Sequence, residues 1–265
     1  MDTMNYLEEY YNNYDEEGRL LKRYGRIEYI TTMKYIHKFL PEREKVSCRI
    51  LEAGAGTGRY SIALTQEGYT VDSVELVEHN LNILKSKIKE EYHITARQGN
   101  VLDLSAFEDD TFDMTLVLGP MYHLYSEEEK KRALTEAIRV TKPKGYIMVA
   151  YCMNEATILQ YCFIENHLQE CMNKNMLTED FHCISNPKDL FEIVRIEDIN
   201  RFNEGLNVKR IHLIATDGAT NYMRDIIENM GEDLYEQYIR YHLTICERQD
   251  LIGATNHSLD ILRKE

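Results

Sequence analysis

Three glycines and one acid carry the clearest chemical signal in this chain. Gly54, Gly56 and Gly58 alternate in Ile50-Leu51-Glu52-Ala53-Gly54-Ala55-Gly56-Thr57-Gly58, an apolar strand that breaks into a glycine loop, and Glu75 stands at the tip of the next strand. Glycine lets backbone approach a ligand where a Cβ would clash, and a carboxylate at the neighbouring strand tip can accept both hydroxyls of a ribose. The spacing narrows the ligand. A dinucleotide loop reads G-x-G-x-x-G, whereas Arg59 occupies the place of that last glycine. The pattern predicts a nucleoside without a pyrophosphate and argues against a nicotinamide-dependent oxidoreductase.

A second group of reactive side chains follows a later apolar run, in Gly119-Pro120-Met121-Tyr122-His123-Leu124. Open α/β sheets place their crevice at the carboxyl ends of the strands, so Tyr122 and His123 are candidates to meet a second substrate. An imidazole with its ordinary pKa of about 6.5 suits His123 to general-base work at neutral pH, and a helix-capping or packing role accounts for it equally. Asp217, His257 and the pair Tyr241-His242 are further candidates to face the crevice, although no spacing among them specifies a reaction.

The elements that must position these groups alternate along the chain. Strands are predicted over 49–53, 70–76, 93–97, 112–118 and 145–151, and helices over 59–67, 79–91 and 126–141. This βαβ progression implies a mostly parallel sheet covered on both faces. Ser126-Glu127-Glu128-Glu129 reads as a capping box, and Leu134, Ala137, Ile138 and Thr141 give its helix one face for the sheet. Apolar residues at threes and fours from Ile27 to Leu40 predict an N-terminal helical extension. An amphipathic segment is expected from Glu155 to about Leu177, a sixth strand over 208–215, helices over 219–230 and 232–247, and a seventh strand over 258–262. The apolar stripes of the inserted helices serve as core packing in the simplest reading.

Taken in order, these motifs resemble the class I S-adenosylmethionine-dependent methyltransferases, whose first motif reads roughly V-L-D/E-x-G-x-G-x-G. Val74-Glu75-Leu76-Val77-Glu78 is similar to the second motif and Gln98-Gly99-Asn100-Val101-Leu102-Asp103-Leu104 to the third. Phe112 to Leu118 resembles the fourth, and Arg139-Val140-Thr141-Lys142-Pro143-Lys144-Gly145 the turn before the fifth strand. Leu118 to Leu124 and Ala215-Thr216-Asp217-Gly218 resemble a bacterial subgroup of small methyltransferases of the type-11 or type-25 kind. The resemblance implies an α/β, Rossmann-like, seven-stranded, mostly parallel sheet with an antiparallel last strand, plus the N-terminal extension and two helical insertions.

It also implies roles. Gly54, Ala55, Gly56, Gly58 and Leu118 would present the sheet edge to S-adenosylmethionine, and Glu75 would bind its ribose. Leu76 would pack on the adenine, with Asn100 and Val101 along the adenine edge. Asn100 stands where the family usually has Asp, and can still accept through its carbonyl oxygen. Arg26 is the candidate partner for the cofactor's carboxylate, with surface exposure as the alternative, and Tyr11 and Tyr14 are candidates to line a lid. The implied products are S-adenosylhomocysteine and a methylated acceptor, with His123 as catalytic candidate and Tyr122, Asp217 and His257 on the substrate side. A non-catalytic module that binds the nucleoside or a partner is the competing expectation.

Composition bounds the rest. The chain has 265 residues, 43% of them hydrophobic, which suffices for one large core. A single domain is expected over 1–265, divided into an extension at 1–45, a cofactor core at 46–152, an insertion at 153–190 and a C-terminal part at 191–265 that carries a further insertion at 219–250. A net charge of -14 without a basic cluster argues against a nucleic-acid partner and leaves a small molecule as the expected acceptor. Six cysteines without C-x-x-C or zinc spacing predict a reduced, cytoplasmic protein with no metal site. No apolar run reaches the ~20 residues that span a bilayer. The sequence leaves the acceptor and the oligomeric state open.

Overall fold

Residues 3–13, 18 and 22–265 are described in the computed structural model. Tyr14 lies outside them. Two helices lead in, α1 (Thr3–Asn13) and α2 (Arg23–Phe39). The alternating core follows as β1 (Arg49–Ala53), α3 (Arg59–Gln66), β2 (Thr70–Glu75), α4 (Glu78–Lys87), β3 (Ile94–Gln98), β4 (Phe112–Val117), α5 (Glu127–Val140) and β5 (Thr141–Met153). Beyond it come α6 (Asn154–Thr157), a π-helical turn (Ile158–Ile164), α7 (Leu168–Asn173), β6 (Ile193–Val194), α8 (Ile196–Asn203), β7 (Val208–Ala215), α9 (Arg224–Glu228), α10 (Glu232–Ile245), α11 (Gln249–Ile252) and β8 (His257–Lys264).

The strands form one sheet in the order β3-β2-β1-β4-β5-β8-β7, with the two-residue β6 pairing β5. Pairings are parallel from β3 through β5, and β8 runs antiparallel to both β5 and β7. The predicted seven-stranded, mostly parallel Rossmann-like sheet is thus the observed one, extended by a short strand.

Alternation along the strands sends side chains to two cores. Leu51, Ala53, Val117, Ile147, Val149 and Tyr151 face one side, where Ala133, Leu134 and Ala137 of α5 close over them. Ile50, Met114, Leu116, Met148, Ala150 and Cys152 face the other, against Tyr35 and Ile36 of α2 and Leu64 of α3. The capping box forms as read: Ser126 accepts from the backbone of Glu129, whose carboxylate reaches back to the Ser126 N–H.

Differences from the sequence reading fall at breaks in helical period. The segment expected as one stretch from Glu155 to Leu177 is divided by Asn166, which adopts a left-handed φ of 63° and ends the turn before α7. The helix expected over 219–230 is a 3-10 turn (Gly218–Met223) followed by the short α9. β5 begins at Thr141 rather than 145, because Phe112 pairs Thr141 ahead of a register shift and the strand runs through the Pro143-Lys144 turn. α8 adds a helix to those predicted. It packs Ile199 and Phe202 into the first core and starts where Asp198 accepts the Arg195 N–H at 2.7 Å.

Candidate active site

β1 stops because its chain turns into left-handed backbone. Gly54 and Ala55 both donate to the Val74 carbonyl, at 2.7 and 3.0 Å, so the loop is tied to β2 before it enters α3. Gly56 has φ +53°, and a Cβ built there meets nothing within 4 Å. This open space is the mouth of a cavity of about 790 Å³ over the carboxyl ends of the strands. A volume of that size lies toward the upper end of the roughly 300–1,000 Å³ range of small-molecule sites.

Ends of β1 and β2 build one half of the cavity. Glu75 lies at its wall with Oε2 accepting from Gly56 N at 2.7 Å and Oε1 from Val77 N at 2.9 Å. Burial pushes its carboxyl above the ordinary range, with these backbone N–H groups and the Asn80 side chain pulling the other way. Leu76, Asn100, Val101 and Leu118 line the same half. Asn100 already accepts from Leu102 N at 2.9 Å, and its second lone pair can accept again.

Beneath the loop sits Glu52, which accepts from Ser61 N at 2.9 Å and from the Ser61 hydroxyl. Burial pushes Glu52 up to about 8 despite those bonds.

Not every expected ligand reaches the cavity. Gly58 lies outside its lining and packs on Leu84, where an added Cβ would come within 2.1 Å of Leu84 Cδ1. Arg26 is exposed and also lies outside the lining. α2 turns Tyr24, Gly25 and Glu28 inward, and successive residues of a helix are rotated by about 100°. Arg59 takes the inward place that Arg26 lacks: it lines the cavity with its guanidinium 4.4 Å over the Tyr29 ring, and its buried Nε has no hydrogen-bond partner. Arg59 was legible only as a departure from the dinucleotide pattern.

The other half is built by the ends of β4, β5, β7 and β8. His123, Tyr122, Asp217 and His257 all line it, as do Tyr11 of α1 and Glu28 of α2. Tyr241 is exposed, and His242 is buried against Gly218 outside the lining. His123 has both ring nitrogens engaged, Nδ1 with the Leu190 carbonyl at 2.7 Å and Nε2 with the Tyr11 hydroxyl at 2.9 Å. Burial lowers its pKa against the Leu190 bond, so the neutral ring donates from Nδ1 and accepts from Tyr11. His257 Nδ1 lies 2.8 Å from Asp217 Oδ2 and 3.6 Å from Glu28 Oε2. Glu28 and the cavity-lining Arg224, Asn221 and Asn256 carried no pattern in the sequence, since they meet only through packing of α2 and the segment after β7.

An open glycine loop, a buried acid at the next strand tip and a two-part cavity at the carboxyl ends of a parallel sheet define a Rossmann-like fold with a nucleoside-type site. Residues 50–145 match a family described as a methyltransferase domain. The glycine/sarcosine N-methyltransferase of Aphanothece halophytica is 27% identical over 139 residues, covering 52% of this chain and 52% of that protein. A methyltransferase of Alkaliphilus oremlandii is 30% identical over 146 residues, 55% of this chain and 60% of its own length. The chain spans about half the length of the curated relatives it matches.

Among solved structures, a methyltransferase of Thermotoga maritima, described as a possible histamine N-methyltransferase, superposes with a TM-score of 0.60 at 17% identity, covering 98% of this chain and 99% of that one. Geranyl diphosphate C-methyltransferase of Streptomyces coelicolor A3(2) gives 0.61 at 11% identity over 100% and 99%. The likeness is thus to S-adenosylmethionine-dependent methyltransferases, over residues 50–145 by family and over nearly the whole chain by fold.

Its residues fit that cofactor. Gly56 leaves the space a Cβ would fill, Glu75 stands beside it as a ribose acceptor, and Arg59 offers an unpartnered buried N–H.

Proposed function

We propose that the protein transfers the methyl group of S-adenosylmethionine to a small-molecule acceptor by direct in-line displacement. One observation carries this reading: a single cavity joins the glycine loop and Glu75 to the cluster of Tyr122, Asp217 and His257, so donor and acceptor meet across the ends of β1 and β4. The sulfonium is already a good leaving group. What the protein adds is orientation and exclusion of water, which can supply roughly 7–11 kcal/mol of barrier reduction.

In this reading Gly54, Ala55 and Gly56 present backbone to the cofactor and Glu75 holds the ribose. Leu76, Asn100 and Val101 frame the adenine, and Arg59 rather than Arg26 meets the cofactor's carboxylate. His123 holds α1 and the Leu190 segment over the cavity through its two bonded nitrogens. A cavity of about 790 Å³ supports a small acceptor over a nucleic acid. Six free thiols support a cytoplasmic location, and among the described residues no helix is long and apolar enough to cross a membrane.

Calorimetry with S-adenosylhomocysteine tests the donor site. The wild type is expected to bind, and Glu75→Ala to lose at least about tenfold in affinity, equivalent to ~1.4 kcal/mol, with the far-ultraviolet circular dichroism unchanged. Equal affinity would remove Glu75 from the site. Binding without transfer of labelled methyl to any metabolite would leave a sensor module in place of an enzyme.

A further inference from the structure

The acceptor half of the cavity holds a charged centre assembled from three elements. Glu28 comes from α2, Asp217 from the end of β7 and His257 from the start of β8. Asp217 Oδ1 accepts from the Thr255 hydroxyl at 2.6 Å and from the backbone of Asn256 and His257 at 3.0 Å each, which leaves Oδ2 to face the imidazole. Around the ring stand Cys152, its cross-strand partner on β5, the Tyr122 ring at 5.9 Å and the Asn256 amide at 3.0 Å from Nδ1.

Resting on the reading of the cavity as a methyl-transfer site, we propose that Glu28, Asp217 and His257 form the acceptor centre, that the acceptor presents a basic nitrogen there, and that His257 takes its proton.

Charge selects the acceptor. Two carboxylates around one imidazole carry a net charge of minus one when the ring is protonated and minus two when it is neutral. A phenolate, thiolate or carboxylate nucleophile is repelled from such a centre, whereas an ammonium is drawn to it. An ammonium has no lone pair and must lose a proton before it can attack.

His257 suits that task. Burial alone would lower its basicity, but Glu28, Cys152 and Asp217 outweigh burial and raise its pKa well above the ordinary value, so the neutral ring that takes a proton gains population, and kcat/KM rises, as pH climbs toward that raised value. Asp217 stays ionised because the His257 and Thr255 bonds overcome its own burial. The step balances when the ring starts neutral: the ammonium gives its proton to the neutral His257 ring, and the freed lone pair forms the C–N bond as the sulfonium C–S bond breaks. The positive charge passes to the methylated nitrogen, and S-adenosylhomocysteine leaves.

These three groups could also be read as ligands of a divalent cation, since their ligand atoms lie within 4.8 Å of one another. The 2.8 Å between Nδ1 and Asp217 Oδ2 is a hydrogen-bond separation instead. Two ligand atoms each about 2.1 Å from one tetrahedral ion would stand farther apart.

The test supplies labelled S-adenosylmethionine to the full chain with a deproteinised bacterial metabolite extract. The expected product is retained on a cation exchanger at neutral pH and survives mild base, as an N-methyl amine does. His257→Gln should lower its rate of formation by about 100-fold or more, while S-adenosylhomocysteine affinity stays within about twofold. Glu28→Gln removes one negative charge from the centre without disturbing the Asp217 bonds, and should move the acid limb of the kcat/KM profile to lower pH.

Label in a neutral or base-labile product, or in no cation at all, overturns the proposal. So does His257→Gln turnover within about threefold of wild type, or activity lost to a chelator and restored by Mn²⁺. Failure of the wild type to bind S-adenosylhomocysteine would overturn the donor site itself and is read separately by calorimetry.

Discussion

Glu52, beneath the glycine loop, holds a proton at neutral pH because burial outweighs its bonds to Ser61. Its folded value of about 8 lies above the value of 4.5 it has when free. The native state keeps a proton that the unfolded chain has released, so stability is fully present below 4.5 and falls as pH rises toward 8. By pH 7 the loss is on the order of 3 kcal/mol. Glu75 is shifted in the same direction and adds to the decline. Stability drawn from His257 is kept below about pH 6.5 and lost only as pH passes through its raised value. Glu52→Gln keeps a carbonyl acceptor for Ser61 and removes the carboxyl. Urea midpoints at pH 5 and pH 7 should therefore differ less in the variant than in the wild type, and parallel declines would show that Glu52 does not titrate in this window. Glu75 and Gly56 were legible in the sequence because each answers a local demand, an acid at a strand tip and backbone without a Cβ. Glu28 and Arg224 were not, and Arg59 showed only as a departure from the dinucleotide loop, since nothing local distinguishes an inward-facing charge on a helix from a solvated one.

Two glycines of one loop serve different ends, and substitution separates them. Gly58 caps α3 at φ +84° against Leu84, so Gly58→Ala adds a collision to left-handed strain and should destabilise the fold by about 2–3 kcal/mol. Gly56→Ala meets no protein atom and bears the strain alone, about 1 kcal/mol, but places a methyl at the cavity mouth. Chemical denaturation together with S-adenosylhomocysteine calorimetry should show the first variant losing mainly stability and the second mainly affinity. The reverse order would reverse the assignment. Strands and core helices were readable to within a few residues because alternation and a 3.6 period each encode one buried face. After β5 the period stops being informative: a π turn, a left-handed Asn166 and a 3-10 turn interrupt the amphipathic stripes, and their geometry depends on what they pack against.

At the scale of the whole molecule, the cavity lies across a sheet whose two cores share β1, β2, β4 and β5, so neither half of the site has a core of its own. Antiparallel β8 inserts between β5 and the edge strand β7 and ties His257–Lys264 into the sheet on both sides. Donor and acceptor halves should therefore unfold together in one transition. A ligand that binds only the folded state adds RT ln(1 + [L]/Kd), about 2.7 kcal/mol at a hundredfold excess over Kd. For a chain of this length each kcal/mol moves the midpoint by roughly 2–4 °C. Saturating S-adenosylhomocysteine is then expected to raise Tm by about 5–10 °C as a single sharpened step in differential scanning calorimetry. A split trace, with only one step responding to ligand, would show that the segments after β5 form an independent unit and that the acceptor centre is not held by the same core as the glycine loop.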